Sequence, residues 1–145
     1  MKDLVKAKEL LKAENLTLAI VKDGECIYKS QERGIYPLYC AWKALGQELK
    51  KTVAADKVIG KGAALFYAYM GIGSIYAEIV SESALSVLEL YQIPIEYKKR
   101  VVRIENRDRT GSCPVETLAQ DIQDLDDIEE AVKQFLIKIK KIQPE

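Results

Sequence analysis

Histidine is absent from this sequence. It is the side chain most often used as general base and metal ligand near neutral pH. Its absence excludes Ser-His-Asp and Cys-His nucleophile devices, the His-Glu-x-x-His zinc helix and any two-histidine metal site. Cysteine is nearly as scarce. Cys26, Cys40 and Cys113 are odd in number and widely spaced, with no Cys-x-x-Cys pair among them. This argues against a disulfide framework and against a zinc knuckle. No apolar run approaches the ~20 residues that span a bilayer. The first eleven residues alternate lysine with leucine and show no signal-peptide core, so a cytoplasmic protein with no membrane association is expected. An excess of charge is missing too: 22 Lys and Arg balance 22 Asp and Glu. No global field draws the chain to nucleic acid, which is not expected as a partner unless a local patch supplies the charge.

What remains is an ordinary globular composition, 48% hydrophobic and 30% charged over 145 residues, enough for one domain with its own core. The periodicity predicts a helix over residues 2–14, with Leu4, Ala7 and Leu11 on one stripe. Apolar residues 16–21 and residues 25–30 flank Asp23-Gly24, a strong signal for a two-residue hairpin. Pro37 opens a second helix to residue 50, on which Leu38, Ala41, Trp42, Leu45 and Leu49 recur at helical spacing. A third strand is predicted over 52–59. Gly60-Lys61-Gly62 then leads into a helix over 63–70 that is apolar nearly all round and therefore belongs inside. Gly71-Ile72-Gly73 separates it from a strand over 74–80. Ser81 or Ser83 caps a helix over 84–92, and Pro94 stops it. A strand over 95–104 carries Lys98, Lys99 and Arg100, the decoration of an exposed edge. A charged loop follows over 106–112, Pro114 opens a short helix, and Asp124 caps a final helix whose stripe is Leu125, Ile128, Val132, Phe135 and Ile139. The order αββαβαβαβαα predicts a single α/β domain over residues 1–145, a three-layer α/β/α sandwich on a mixed five-stranded sheet.

That order, carried by residues 17–30 with Tyr36-Pro37-Leu38-Tyr39 and by the strand-loop-apolar helix-Gly-strand course of 58–80, resembles the cytidine deaminase-like fold, in particular the branch containing tRNA and nucleic-acid deaminases. The resemblance covers residues 2–104. The sequence is similar above all to a small bacterial and archaeal family of unknown function with that fold. The resemblance implies two helix starts where active deaminases hold zinc, a His-x-Glu or Cys-x-Glu at the first and Pro-Cys-x-x-Cys at the second. Here the first position reads Gly34-Ile35-Tyr36-Pro37-Leu38-Tyr39 and the second Ile59-Gly60-Lys61-Gly62-Ala63-Ala64. Neither offers a ligand pair or a proton-shuttling glutamate, so no metal, no cofactor and no deaminase chemistry are expected.

Three other readings of the loops follow. Gly60, Lys61, Gly62 and Ala63 form a glycine-rich helix start whose backbone amides and lysine suit an anion. The stretch is neither a Walker loop nor a dinucleotide fingerprint, because glycine and Ser/Thr are missing at the required positions. Small residues there equally let the helix approach the sheet. Arg107 and Arg109, with Cys113 just before Pro114, form a second candidate for phosphate or carboxylate, or a solvated loop with internal ion pairs. Tyr36 and Tyr39, beside the first vestigial motif, are candidate stacking surfaces for a base. The leading expectation is a non-catalytic protein binding a nucleotide or other phosphorylated small ligand between the Pro37 and Gly60 helix starts. The alternatives are a homo-oligomeric scaffold module with no small-molecule site, and a thiol-dependent enzyme using Cys113.

Overall fold

Hydrophobic spacing turns into layers in the computed structural model, which describes residues 2–104, 115, 119–120 and 122–144. Helix α1 (Lys2–Ala13) lays Leu4, Ala7 and Leu11 against Ala19, Val21, Ala55 and Tyr76 on one face of the sheet. Strands β1 (Leu18–Lys22) and β2 (Glu25–Ser30) form the expected hairpin. Asp23 (φ 49°) and Gly24 (φ 83°) both take positive φ, the turn that matches the strands' right-handed twist. Asp3 on α1 accepts hydrogen bonds from both turn amides at 3.1 and 3.0 Å, tying the first helix to the hairpin. Opposite Ile20 and Val21 the pairing skips from Tyr28 to Cys26, so Ile27 is an extra residue that bends β2.

The other face carries α2 (Tyr36–Leu45), α3 (Lys61–Met70) and α4 (Glu82–Leu90), with α5 (Ile128–Lys138) packed against α2 and α3. Strands β3 (Val53–Ile59), β4 (Ser74–Ser81) and β5 (Ile95–Val101) complete the sheet. Its order is β2-β1-β3-β4-β5, with β1 antiparallel to both neighbours and β3, β4 and β5 parallel. This is the expected mixed five-stranded sheet with helices on both sides. The two parallel crossovers each use one helix, as parallel strands require.

Several boundaries differ from the sequence expectation. The second helix ends at Leu45, because Gly46 adopts φ 50° and the chain tightens into a 3-10 turn over Gly46–Leu49. The third helix begins at Lys61, with Gly60 as its extended N-cap. Strand β5 ends at Val101, three residues early. Asp124 caps a 3-10 turn, Leu125–Asp127, that precedes α5, its side chain accepting from the Asp126 amide. On α5 the buried residues are Ile128, Val132 and Leu136, whereas Ile139 is 52% exposed, because helical geometry puts Leu136 one turn beyond Val132 on the inward stripe.

The choice between Ser81 and Ser83 is settled by geometry. Ser81 Oγ accepts from the Ala84 amide at 3.1 Å, and the Ser83 hydroxyl lies 3.1 Å from it. Ser81→Ala is therefore expected to lower unfolding free energy by about 1 kcal/mol, with Ser83→Ala changing it by less than half as much. Chemical denaturation of the two variants checks this.

Candidate functional site

The carboxyl ends of β3, β4 and β5 emerge on one side of the sheet, where open α/β sheets generally bind ligands. By strand register Val58, Ile79 and Lys99 stand side by side across the three strands. Together with Val101, Val102 and Arg103 they line an open groove of about 710 Å³. The burial pattern marks this place as unusual. Val58 and Val102 are 42% and 74% exposed, whereas Ile59 and Val80, one residue away from the groove residues Val58 and Ile79, are fully buried. Apolar side chains with two cationic groups, Lys99 and Arg103, suit a ligand with an apolar body and an anionic end. Gly60 and the start of α3 follow Val58 by two residues, so this helix N-terminus stands next to the groove along the chain.

The residues singled out from sequence distribute differently. Gly60 and Lys61 are half-buried at the α3 start, and Gly62 and Ala63 are buried. A β-carbon on Gly62 would meet Val115 Cγ1 at 2.4 Å and the Val115 carbonyl at 3.2 Å. The absence of a side chain at this position thus permits close packing of residues 115 and 119 against α3. Tyr39 is 6% exposed and belongs to the core. Tyr36 is half-buried, and the Lys141 ammonium lies 5.0 Å from its ring centre. Its hydroxyl is hydrogen-bonded with Cys40, which raises its pKa; the same thiol neighbours Tyr28, whose pKa is pushed up to about 12 mainly by burial. Arg107, Arg109 and Cys113 lie outside the described residues. Neither the large groove nor a smaller one of about 220 Å³ on α1, beside Lys8 and Lys12, is lined by the expected residues. Among the described residues no three His, Cys, Asp or Glu side chains converge to hold a metal ion, and Cys26 and Cys40 are free.

Sequence reasoning also missed a pair formed by the buried Tyr67 and the half-buried Asp56. Tyr67 on α3 donates its hydroxyl to Asp56 Oδ2 on β3 at 2.6 Å, and Asp56 Oδ1 accepts from the Val58 amide at 3.3 Å. Burial pushes the Asp56 carboxyl up to about 7, against the opposing pull of those hydrogen bonds, and holds Tyr67 well above its ordinary value. The available signal was parity: Asp56 shares its side of the strand with the buried Ala54, an inward position where an acid is rare.

A family model described as "Domain of unknown function (DUF1893)" matches residues 6–136. The chain belongs to the DUF1893 family. A solved DUF1893 protein from Thermotoga maritima is 26% identical and superposes with a TM-score of 0.84, the match covering 93% of this chain and 91% of that one. RibD from Acinetobacter baumannii is 16% identical with a TM-score of 0.47, and 39% of its length is covered. No curated protein matches. The DUF1893 description assigns no function, so the activity of this member rests on its own geometry. No helix among the described residues is long and apolar enough to cross a membrane.

Proposed function

We propose that this DUF1893 protein is a zinc-free relative of the deaminase-like proteins that binds a phosphorylated small molecule, in the simplest case a nucleotide, without transforming it. The reading rests on the groove at the carboxyl ends of β3–β5, where Lys99 and Arg103 accompany Val58, Ile79 and Val101. A base or other flat apolar group suits the valine and isoleucine surface, and the two cations suit phosphate, arginine through its forked donors. The glycine-rich start of α3, two residues after Val58 in the chain, is a helix N-terminus of the kind anions prefer. The deaminase-like assignment is supported by the element order, which after the hairpin alternates helix and strand as the resemblance requires.

A thermal-shift titration with nucleoside mono- and diphosphates, pyrophosphate and ADP-ribose tests the reading. Ligand at about 100 times Kd is expected to add about 2.7 kcal/mol to the unfolding free energy. Lys99→Ala and Arg103→Ala should each weaken binding about tenfold or more, as loss of a charge-assisted contact does. Lys61→Ala reports separately on the α3 start. Stabilisation by none of these compounds, or binding unchanged in both groove variants, rejects the proposal.

A further inference from the structure

Strand β5 hydrogen-bonds to β4 through the register Ile75↔Ile95 to Ser81↔Val101, and among the described residues it is the last strand of the sheet. Its outer side is thus an edge seven residues long, and its five central residues, Glu96 to Arg100, are all exposed. An edge of this length presents a row of main-chain donors and acceptors on which a further strand can form. Its side chains select the occupant. Lys98, Lys99 and Arg100 follow one another on the strand, and Arg103 comes two residues after its end. Glu96 is paired with Lys8 of α1, and Arg100 lies 3.8 Å from Glu82 of α4, which leaves the edge with a net positive charge.

We propose that the β5 edge takes up an acidic peptide segment of a partner protein as a sixth strand. A second copy of this edge is a weaker occupant: antiparallel self-pairing about Lys98 sets that lysine against its own copy, and its complementary pairs, Glu96 with Arg100, use side chains already engaged by Lys8 and Glu82. A nucleic acid is disfavoured by a strand that offers one exposed ring, Tyr97, for stacking. An extended acidic peptide meets both demands. Its backbone satisfies the edge, its carboxylates face Lys98 and Arg100, and the flanking Tyr97, 40% exposed, gives an apolar side chain a surface to rest on.

The probe is a fluorescein-labelled octapeptide of alternating glutamate and valine, followed by fluorescence anisotropy with the full chain. Three comparisons decide. Replacing glutamate by lysine in the peptide should weaken binding at least about tenfold, as reversal of the complementary charge does. Methylating alternate backbone nitrogens while keeping every carboxylate should weaken it by a similar factor of about ten, because ladder hydrogen bonds are lost. Lys98→Glu combined with Arg100→Glu should abolish it while leaving pyrophosphate binding intact, since neither residue lines the groove. Equal binding of the methylated peptide would reduce the contact to bulk electrostatics and overturn the proposal. So would displacement of the peptide by an equal concentration of oligothymidylate, or no peptide binding up to about 1 mM.

Discussion

Raising the pH from 4 to 8 should destabilise this protein, and Asp56→Asn should remove most of that dependence. The Asp56 carboxyl titrates near 7 in the folded chain against 3.8 for the ordinary group. Folding therefore favours the protonated form, and the folded state holds a proton that the unfolded chain has released. That contribution is fully present below the unfolded pKa and is lost as pH climbs through the folded one, after which stability levels off. One pKa unit corresponds to about 1.4 kcal/mol, which sets an upper bound of about 4 kcal/mol. Asp56 keeps some solvent access as a residue, so a fall of about 2 kcal/mol is the expected size. Asparagine has the same shape, still accepts from Tyr67, and has no proton to lose. Urea unfolding at four pH values checks the slope for both proteins. A wild-type curve that is flat or rising between pH 4 and 7, or an Asp56→Asn curve with the same fall, contradicts the assignment.

The second large effect concerns Gly62. Its position was readable either as an anion cradle or as a place of close approach, and these readings diverge for Gly62→Ala. The added methyl group would overlap Val115 Cγ1 and press on the Val115 carbonyl. Overpacking of this kind costs about 1–3 kcal/mol, set against less than 1 kcal/mol gained from alanine's helix propensity. Val115→Ala removes the side chain in the way. The double variant is therefore expected to recover at least about half of the loss, an interaction energy visible in a double-mutant cycle. A neutral Gly62→Ala, or losses that simply add, would show that residue 115 does not constrain this helix. Phosphate binding measured on the same proteins separates the two roles: packing predicts lost stability with affinity preserved.

Much of the architecture was legible because the features that encode it are local. The Asp23-Gly24 turn, Pro37 at a helix start and the all-apolar helix after Gly62 each carry their meaning within a few residues. Errors arose where local patterns compete with a single backbone event. Helical spacing runs from Leu38 through Leu49, yet Gly46 at positive φ breaks the helix between them. On α5 the apolar choices Phe135, Leu136 and Ile139 crowd the same turns, and Leu136, four residues beyond Val132, is the one fully inside.

The sequence by itself determined a histidine-free, charge-balanced α/β domain without the usual zinc ligands, with its hairpin, its order of elements and its basic edge strand. These are properties of composition and short-range spacing, and they survive any arrangement in space. Tertiary structure alone decided which residues meet. It set Val58, Ile79 and Lys99 in a row across three strands, brought Tyr67 to Asp56, and put Val115 against Gly62. Each of those contacts joins positions 11 to 53 residues apart or spans separate strands. Parallel-strand register and helix packing set them, and neither is written in the spacing of neighbours.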